Sequence, residues 1–444
     1  MLHADQPTWD PPAGRIAGTA DGSVARALGI PYARAERFAP PEPMPTFDEA
    51  YPATAPSPVA PQPQATFVDQ LLHPVEGLVV DEHCQHLSIT VPADVEAGEQ
   101  LPVMVWIHGG SYVIGGGDLP IYDARDLVTE QRVVFVSVTF RLGLLGFLGD
   151  GERVPANLGL LDLVEALRWV RTNIAAFGGD PDLVTVCGQS AGGDAAAHLM
   201  ISEGAAGLFR RAIIQSAPLG LSRGRARMNR AMLRAIGVVQ PDTPLDEVLE
   251  RQALGTRAAA PFGLPGGMPF GTQYGYAPLP AERDTDRAWS AVAPDVDVLI
   301  GSASDEAGMY VPLVPGLRSV ARLRAVRPFL RWLLVRPLSD VIYGRDVRRF
   351  TERHRAAGGR ATSYRLHRGV TTEPTGAVHM SDLPLLLGGH DAWAGTRFVR
   401  EQDWPEVERR GRAFRAIWAE FARTGRVTAA DDETLTFDRD PAAA

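Results

Sequence analysis

The chain is predicted to adopt an α/β fold, a mostly parallel sheet with helices on both faces. Three observations predict it. Short β-branched runs alternate with helix-period stretches along most of the chain, a pattern that buries a parallel sheet between two helical layers. A G-x-S-x-G motif sits between a strand-like run and a helix-like run, the placement that a strand–turn–helix nucleophile needs. The 444 residues are 45% hydrophobic and 22% charged, enough for a large core. One domain spanning residues 1–444 is expected.

The elements follow in order. Leu101–Ile107 (LPVMVWI) and Val133–Phe140 (VVFVSVTF) are apolar on both faces and predict buried strands. Leu158–Ile174 places Leu160, Leu161, Val164, Leu167 and Val170 on one helical stripe. Asp182–Cys187 predicts a strand and Ala191–Ile201 a helix. Ala212–Gln215, Val296–Ile300 and Ala361–Leu366 are further strands. Trp404–Thr424 is a long amphipathic helix with Gly425 placed to cap it. Pro52–Gln64, rich in Pro, Ala and Gln, predicts an extended surface connection. Two stretches interrupt the alternation, at about 218–293 and 317–350, and are expected to be lid-like excursions.

Charge and composition exclude several function classes. The net charge of −9 disfavours nucleic acid and anionic membranes as general partners. All 44 basic residues are Arg; with no Lys, Schiff-base chemistry and a Walker-type phosphate loop are excluded. Cys84 and Cys187 provide neither a disulfide framework nor a zinc cluster, and Cys187 lies in an apolar run that suits an inert buried thiol. Met1–Gly14 holds no apolar stretch, and the best apolar run, Val133–Leu148, contains Arg141. A soluble, cytoplasmic protein without a membrane span is therefore expected.

The chemistry centres on Gly188-Gln189-Ser190-Ala191-Gly192. Small residues at 188 and 192 permit a tight turn that projects the Ser190 hydroxyl at the C-terminal edge of the sheet. The N-terminus of the following helix favours developing negative charge. His108-Gly109-Gly110-Ser111 follows directly after a strand. The Gly110, Ser111 and Ala191 N–H groups would form a three-donor oxyanion hole for acyl transfer. On such a sheet the acid and the base follow the serine in chain order. VLIGSASDEAG offers Asp305 and Glu306 for the acid, and His354, His367, His379 and His390 are the histidines that remain. His354 lies in an Arg-rich helical pattern that suggests the surface. His379, in the small-residue loop GAVHMSDLP, leads on position, with the others open.

Taken together, these blocks resemble the type B carboxylesterase family, the cholinesterase-like and para-nitrobenzyl-esterase-like branch of the α/β-hydrolase fold. The resemblance runs from about Gly14 to Gly425. It rests on GIPYA at 29–33, HGGSY at 108–112, FRLGLLGFL at 140–148, the block from Asn157 to Gly193, GLFRRAIIQS at 207–216, SDEAG at 304–308 and GAVH at 376–379. It implies a serine carboxylesterase with no cofactor and a small-molecule ester as substrate. Ser190 would be the nucleophile, Glu306 rather than Asp305 the acid and His379 the base, with Gly110, Ser111 and Ala191 as the oxyanion hole. Ser216 would be a hydroxyl near the acid, Gln189 a neighbour of the nucleophile, and Glu82 with Arg141 a structural ion pair. Asp305 would be a turn or capping residue.

Departures from the family pattern touch the substrate range. His83 replaces an acid, Leu163 follows Asp162, and Ala195 stands where the family carries a small hydroxyl residue. Gln189 occupies the position of a cholinesterase acid, and no Trp occurs between Trp9 and Trp106. Both argue against choline esters, since cation–π recognition needs aromatic rings. Small neutral esters are the expected substrates. Two alternatives stay open: the same residues acting on a carbamate or amide, and a non-catalytic binding module of the same fold. Nine Arg between Arg318 and Arg349, interleaved with Phe329, Leu330, Trp332 and Leu333, predict a helical lid with a solvated basic face, or a face toward a membrane or an anionic substrate.

Overall fold

Ten segments align as one sheet, and most are the apolar runs described above. The computed structural model describes residues 6–63, 77–96, 98–313, 323, 325–371, 376–400 and 402–439. The strands are β1 (Thr19–Asp21), β2 (Val24–Pro31), β3 (His86–Pro92), β4 (Leu101–Ile107), β5 (Val134–Val138), β6 (Gly179–Gln189), β7 (Arg211–Gln215), β8 (Asp297–Ala303), β9 (Ala361–Leu366) and β10 (Leu435–Asp438). Their spatial order is β10-β9-β8-β7-β6-β4-β5-β3-β2-β1. From β5 across to β9 every neighbouring pair is parallel. The edges are antiparallel, with β1–β3 on one side and β10 on the other.

Alternation along β4 shows how the sheet is covered. Val103, Val105 and Ile107 join a core with Leu160, Leu163, Leu167 and Val170 of helix α1 (Leu158–Asn173). Met104 and Trp106 point to the other face and join Leu127, Phe414, Trp418 and Phe421. The last three belong to a helix at Trp404–Thr424. Successive strand residues thus feed opposite layers, which is why both faces of the run are apolar. Gly425, at φ 70°, ends that last helix and donates its N–H to the Phe421 carbonyl at 2.8 Å.

Three features differ from the sequence expectations. β1, β2, β3 and β10 were not predicted. β2 carries Gly29 at φ 66° and a register shift between Ala27 and Ile30, and it ends on Pro31, all of which mask a strand signal. β6 begins at Gly179, before the predicted Asp182, because Gly179 pairs with Leu101 across a bulge. The connection from Pro52 is extended but only partly on the surface. Ala53, Ser57, Val59 and Ala60 are buried, and Asp118 accepts the Ser57 N–H; Gln64 lies outside the described residues.

Between 218 and 293 lie helices Ala226–Ile236, Leu245–Ala259 and Thr285–Val292 and no strand. In the second stretch, residues 317–322 and 324 lie outside the described residues. From Arg327 to Ala356 the chain is continuously helical, with π-helical turns at Arg331–Val335 and Asp340–Gly344. Phe329, Trp332 and Leu333 on this run are exposed, while Val335, Ser339, Tyr343, Phe350 and His354 are buried. Among the described residues no helix is long and apolar enough to cross a membrane.

Candidate active site

The C-terminal ends of parallel strands are where an open α/β sheet presents loops to a ligand. Here β4 ends before His108, β6 before Ser190, β7 before Ser216 and β8 before Ser304.

Ser190 occupies the single residue between β6 and helix α2 (Ala191–Leu199), at φ 59° and ψ −124°. This is strained backbone for a side-chain-bearing residue. Its N–H bonds to the Gln215 carbonyl at 2.9 Å, and its carbonyl accepts from Asp194 N–H at 2.9 Å. Glycines make the turn possible. A Cβ at Gly192 would lie 2.0 Å from the Ile107 carbonyl oxygen, and one at Gly188 2.3 Å from the Gly192 carbonyl group.

His379 reaches Ser190 from the other side. Its Nε2 lies 2.8 Å from Ser190 Oγ, and its Nδ1 lies 2.6 Å from Glu306 Oε2. The carboxylate fixes the tautomer: Nδ1–H donates to Glu306, leaving the Nε2 lone pair for the serine hydroxyl. The other Glu306 oxygen accepts the Ala303 N–H at 2.6 Å, and the Glu306 carbonyl accepts from His379 N–H at 3.3 Å. Both side chains are buried. Rings of Tyr310 and Tyr343 flank the imidazole, at centroid separations of 6.2 and 5.3 Å.

The remaining histidines lie elsewhere. His354 corrects a prediction: it is buried, not on the surface. Its Nε2 hydrogen-bonds the Val296 carbonyl at 2.8 Å, and its ring stacks on Phe350. The Arg-rich pattern hid an amphipathic helix whose inner stripe carries it. His367 sits 2.9 Å from Thr436 Oγ1, and His390 is exposed beside Asp391.

Asp305 is a second correction. It is fully buried and no mere turn residue. Its carboxylate takes a bidentate pair from Arg331, Nε at 2.6 Å and Nη2 at 2.8 Å. The expected Glu82–Arg141 pair is a third. Arg141 donates Nη2 and Nε to Asp162 at 2.6 and 2.9 Å, while Glu82 pairs with Arg37. Arg141 is itself buried and needs a buried carboxylate, which α1 supplies directly.

The loop after β4 turns through three consecutive left-handed residues, Gly110 (φ 119°), Ser111 (φ 56°) and Tyr112 (φ 61°). Gly109 abuts Ser190: a Cβ there would lie 3.2 Å from Ser190 Cβ and 2.8 Å from the Gln189 carbonyl oxygen. Among the described residues, no group accepts the N–H of Gly110, Ser111 or Ala191. Gln189 is buried, with Nε2 3.5 Å from His379 Nε2. Ser216 is buried at φ 48° and donates its N–H to the Gly301 carbonyl. Among the described residues its hydroxyl makes no hydrogen bond to Glu306.

Sequence reasoning missed several residues. Asp382 is buried three positions after His379 and accepts from Gln215 Nε2 at 2.7 Å. Burial, then the charge of Glu306, pushes its carboxyl up to about 6. Asp194 is buried under the loop from Gly109 to Tyr112 and accepts from the hydroxyls of Tyr112 at 2.7 Å and Ser222 at 2.6 Å. An acid beside a serine-centred motif was the available signal for Asp194. For Tyr343, 36 residues from His379 in sequence, there was none.

The chain is similar to known proteins along its length. The sequence pattern described as "Carboxylesterase family" matches residues 5–324. Probable N-octanoylanthranilate hydrolase AqdA2 of Rhodococcus erythropolis is 35% identical over 94% of this chain and 93% of its own. Para-nitrobenzyl esterase of Bacillus subtilis is 32% identical over 93% of this chain and 88% of its own. A solved PNB esterase structure superposes with a TM-score of 0.76 over 98% of each chain, at 27% identity.

Proposed function

The chain belongs to the carboxylesterase family and is a serine hydrolase of carboxylic esters with the α/β-hydrolase fold, and from that premise we propose which residues perform the reaction. Ser190 attacks the ester carbonyl while His379 Nε2 takes the hydroxyl proton. Glu306 holds the imidazole in the Nδ1–H tautomer and stabilises the imidazolium. Gly110, Ser111 and Ala191 donate their N–H groups to the oxyanion of the tetrahedral intermediate. The imidazolium then protonates the leaving alcohol. Water, deprotonated by the same histidine, cleaves the acyl-enzyme and restores Ser190. The observation that carries this reading is the continuous chain from Ser190 Oγ through His379 to Glu306, with contacts of 2.8 and 2.6 Å.

The substrate class follows from what lines the nucleophile. Gln189 is neutral where a cholinesterase carries an acid, which favours small, uncharged esters. A second reading, cleavage of an N-acyl bond, is favoured by the name of the Rhodococcus relative. Operation in the cytoplasm is supported by the two buried free thiols, Cys84 and Cys187, which suit a reducing compartment.

The test has two arms. A serine-directed phosphonate probe should label a single peptide containing Ser190; a chain that remains unlabelled would sink the assignment. Parallel rates on p-nitrophenyl esters of graded acyl length and on the matching anilides should show ester cleavage faster. Anilides cleaved as fast as esters would transfer the proposal to N-acyl substrates.

A further inference from the structure

The helical run that begins at Arg327 has two faces. Outward it exposes Phe329, Trp332 and Leu333. Inward it touches the chain segments that carry the acid and the base, at three points. Arg331 forms its bidentate pair with Asp305, the residue immediately before Glu306. Ser339 Oγ accepts the N–H of Ala307, the residue immediately after Glu306, at 3.0 Å, and donates its own proton to the Val335 carbonyl at 2.7 Å. Tyr343 lies against the His379 ring.

Asp305 is the hub of these contacts. Its N–H bonds the Ala377 carbonyl at 2.9 Å, and its carbonyl accepts from Gly308 at 2.7 Å. Ser304 Oγ donates to its carboxylate. Gly376 packs so closely that a Cβ there would meet Asp305 Oδ2 at 2.7 Å and Arg331 Nη2 at 3.0 Å. One residue therefore ties together the turn bearing Glu306, the loop bearing His379 and the helical run, its main chain bonding the first two and its carboxylate the third. The Asp305 side chain is fully buried and Arg331 is its bidentate partner, with Arg336 Nε farther off at 3.7 Å. Without the Arg331 fork this buried carboxylate keeps the more distant Arg336 as its cation, so it would move toward that cation or toward water, or take up a proton, and each displaces the turn.

We propose that Arg331 is a positioning residue for the esterase reaction: through Asp305 it sets the placement of Glu306 against His379. The lid helix is then part of the catalytic apparatus and not only a cover. This rests on the assignment of Glu306 and His379 made above. Small displacements matter here, because a shift of about 1 Å in a reacting pair can cost on the order of 100-fold in rate. The groups facing His379 are Glu306, Tyr310, Tyr343, Gln189 and, through its charge, Asp382. Of these Glu306 is the one in contact with Nδ1. Loosening it withdraws support from the imidazolium, so the acid limb of the rate profile moves to lower pH.

The experiment compares the full-length parent with Arg331→Gln, Arg331→Lys, the neutral double variant Asp305→Asn with Arg331→Gln, and Glu306→Gln. Phosphonate titration counts active sites, so kcat is expressed per competent site. Arg331→Gln should lose about 10- to 100-fold in kcat per site, with KM within about threefold, and its acid limb should move down. Arg331→Lys should recover part of the loss, since one ammonium restores charge without the fork. If Arg331→Gln alone fails to fold, the double variant, which buries no lone charge, carries the same expectation. Parent kcat per site and an unmoved profile in a folded variant would overturn the proposal, and so would a loss accounted for wholly by fewer titratable sites. Glu306→Gln separates the two levels. If it turns over like the parent, the acid assignment fails. If it is inactive while Arg331→Gln turns over at the parent rate, the positioning role of Arg331 alone fails.

Discussion

The two halves of the proposed site are built on different physics. The nucleophile half is backbone. Ser190, Ala191 and the loop from Gly109 to Tyr112 are shaped by glycines at which an added Cβ would lie 2.0–2.8 Å from a carbonyl group, so no side chain fits. The acid–base half is side chains. Glu306 and His379 are 73 residues apart, meet side chain to side chain at 2.6 Å, and lean on the adjacent Asp305 and, from a third part of the chain, on Arg331, Ser339 and Tyr343. A backbone site is fixed by local sequence and breaks when the chain cannot make its turn. A side-chain site is fixed by long-range packing and degrades by degrees. Breaking each half should therefore look different.

Ser190→Ala is the largest expected effect. It should lower kcat by at least about 10⁴-fold, as loss of a triad serine does. Because the turn is made by glycines and not by the hydroxyl, the melting temperature should move by no more than about 2 °C. Residual activity within about tenfold of the parent, in preparations free of other esterases, would remove Ser190 from the mechanism.

Next comes the acid–base half, where two adjacent carboxylates separate position from chemistry. Glu306→Gln should cost about 10³- to 10⁴-fold in kcat with little loss of stability, since the amide keeps the shape but loses control of the tautomer. Asp305→Asn should reverse the weighting, with a visible fall in melting temperature and a much smaller loss of kcat. Its stability cost should stay below the roughly 3–5 kcal/mol of a fully buried broken pair, because Arg331, about a third exposed, can turn to water. Measured kcat and melting curves for both variants check this. A larger kcat loss in Asp305→Asn than in Glu306→Gln would reverse the assignment.

How much of this was legible in the sequence follows the same division. Ser190, Gly110, Ser111 and Ala191 lie in contiguous motifs, and every parallel strand after residue 100 was visible as a strand-like run. The contact between Glu306 and His379 needed a family resemblance to select one of two acids and one of four histidines. Asp305–Arg331, Tyr343 and Asp382 were invisible because nothing local marks a contact spanning 26, 36 or 167 residues. His354 was misplaced because arginines on one face of a helix concealed the buried stripe on the other. The antiparallel edges were missed because their glycine, proline and short length dilute the period that marks a strand.

The halves should also respond to pH with opposite sign. His108, beside the oxyanion loop, is held neutral by burial, with its pKa lowered to about 4. Its stabilising share is present above the unfolded value near 6.5 and is lost as pH falls through about 4. Asp382, behind the acid–base pair, is raised to about 6. Its share is complete below the unfolded value near 3.9 and is lost as pH rises through about 6. Each is worth on the order of 3 kcal/mol across its window. Relative to the parent, His108→Asn should therefore gain in melting temperature as pH drops from 7 to 4.5. Asp382→Asn should show its advantage at pH 7.5 and lose it by pH 4. Parallel shifts in the two series would refute the opposition.

The smallest effect on rate tests whether the nucleophile half depends on side chains at all. Tyr112 closes the oxyanion loop and donates its hydroxyl to buried Asp194 at 2.7 Å. This is a long side-chain tether under that loop, so it is the place where the backbone account could fail. Asp194 keeps two partners without it, the Ser222 hydroxyl at 2.6 Å and His198 Nδ1 at 3.3 Å. Tyr112→Phe removes one hydrogen bond to a charged acceptor, about 1.5–3 kcal/mol of stability. It leaves in place the glycine contacts that aim the N–H groups of Gly110 and Ser111. The expected result is a lower melting temperature with kcat within about threefold of the parent, and unchanged relative affinity for a trifluoromethyl ketone, which forms the oxyanion on Ser190. A ketone affinity that falls tenfold or more would mean that the donors are held by Tyr112 and not by the turn. Both halves would then be side-chain sites, and the difference between them would be one of degree.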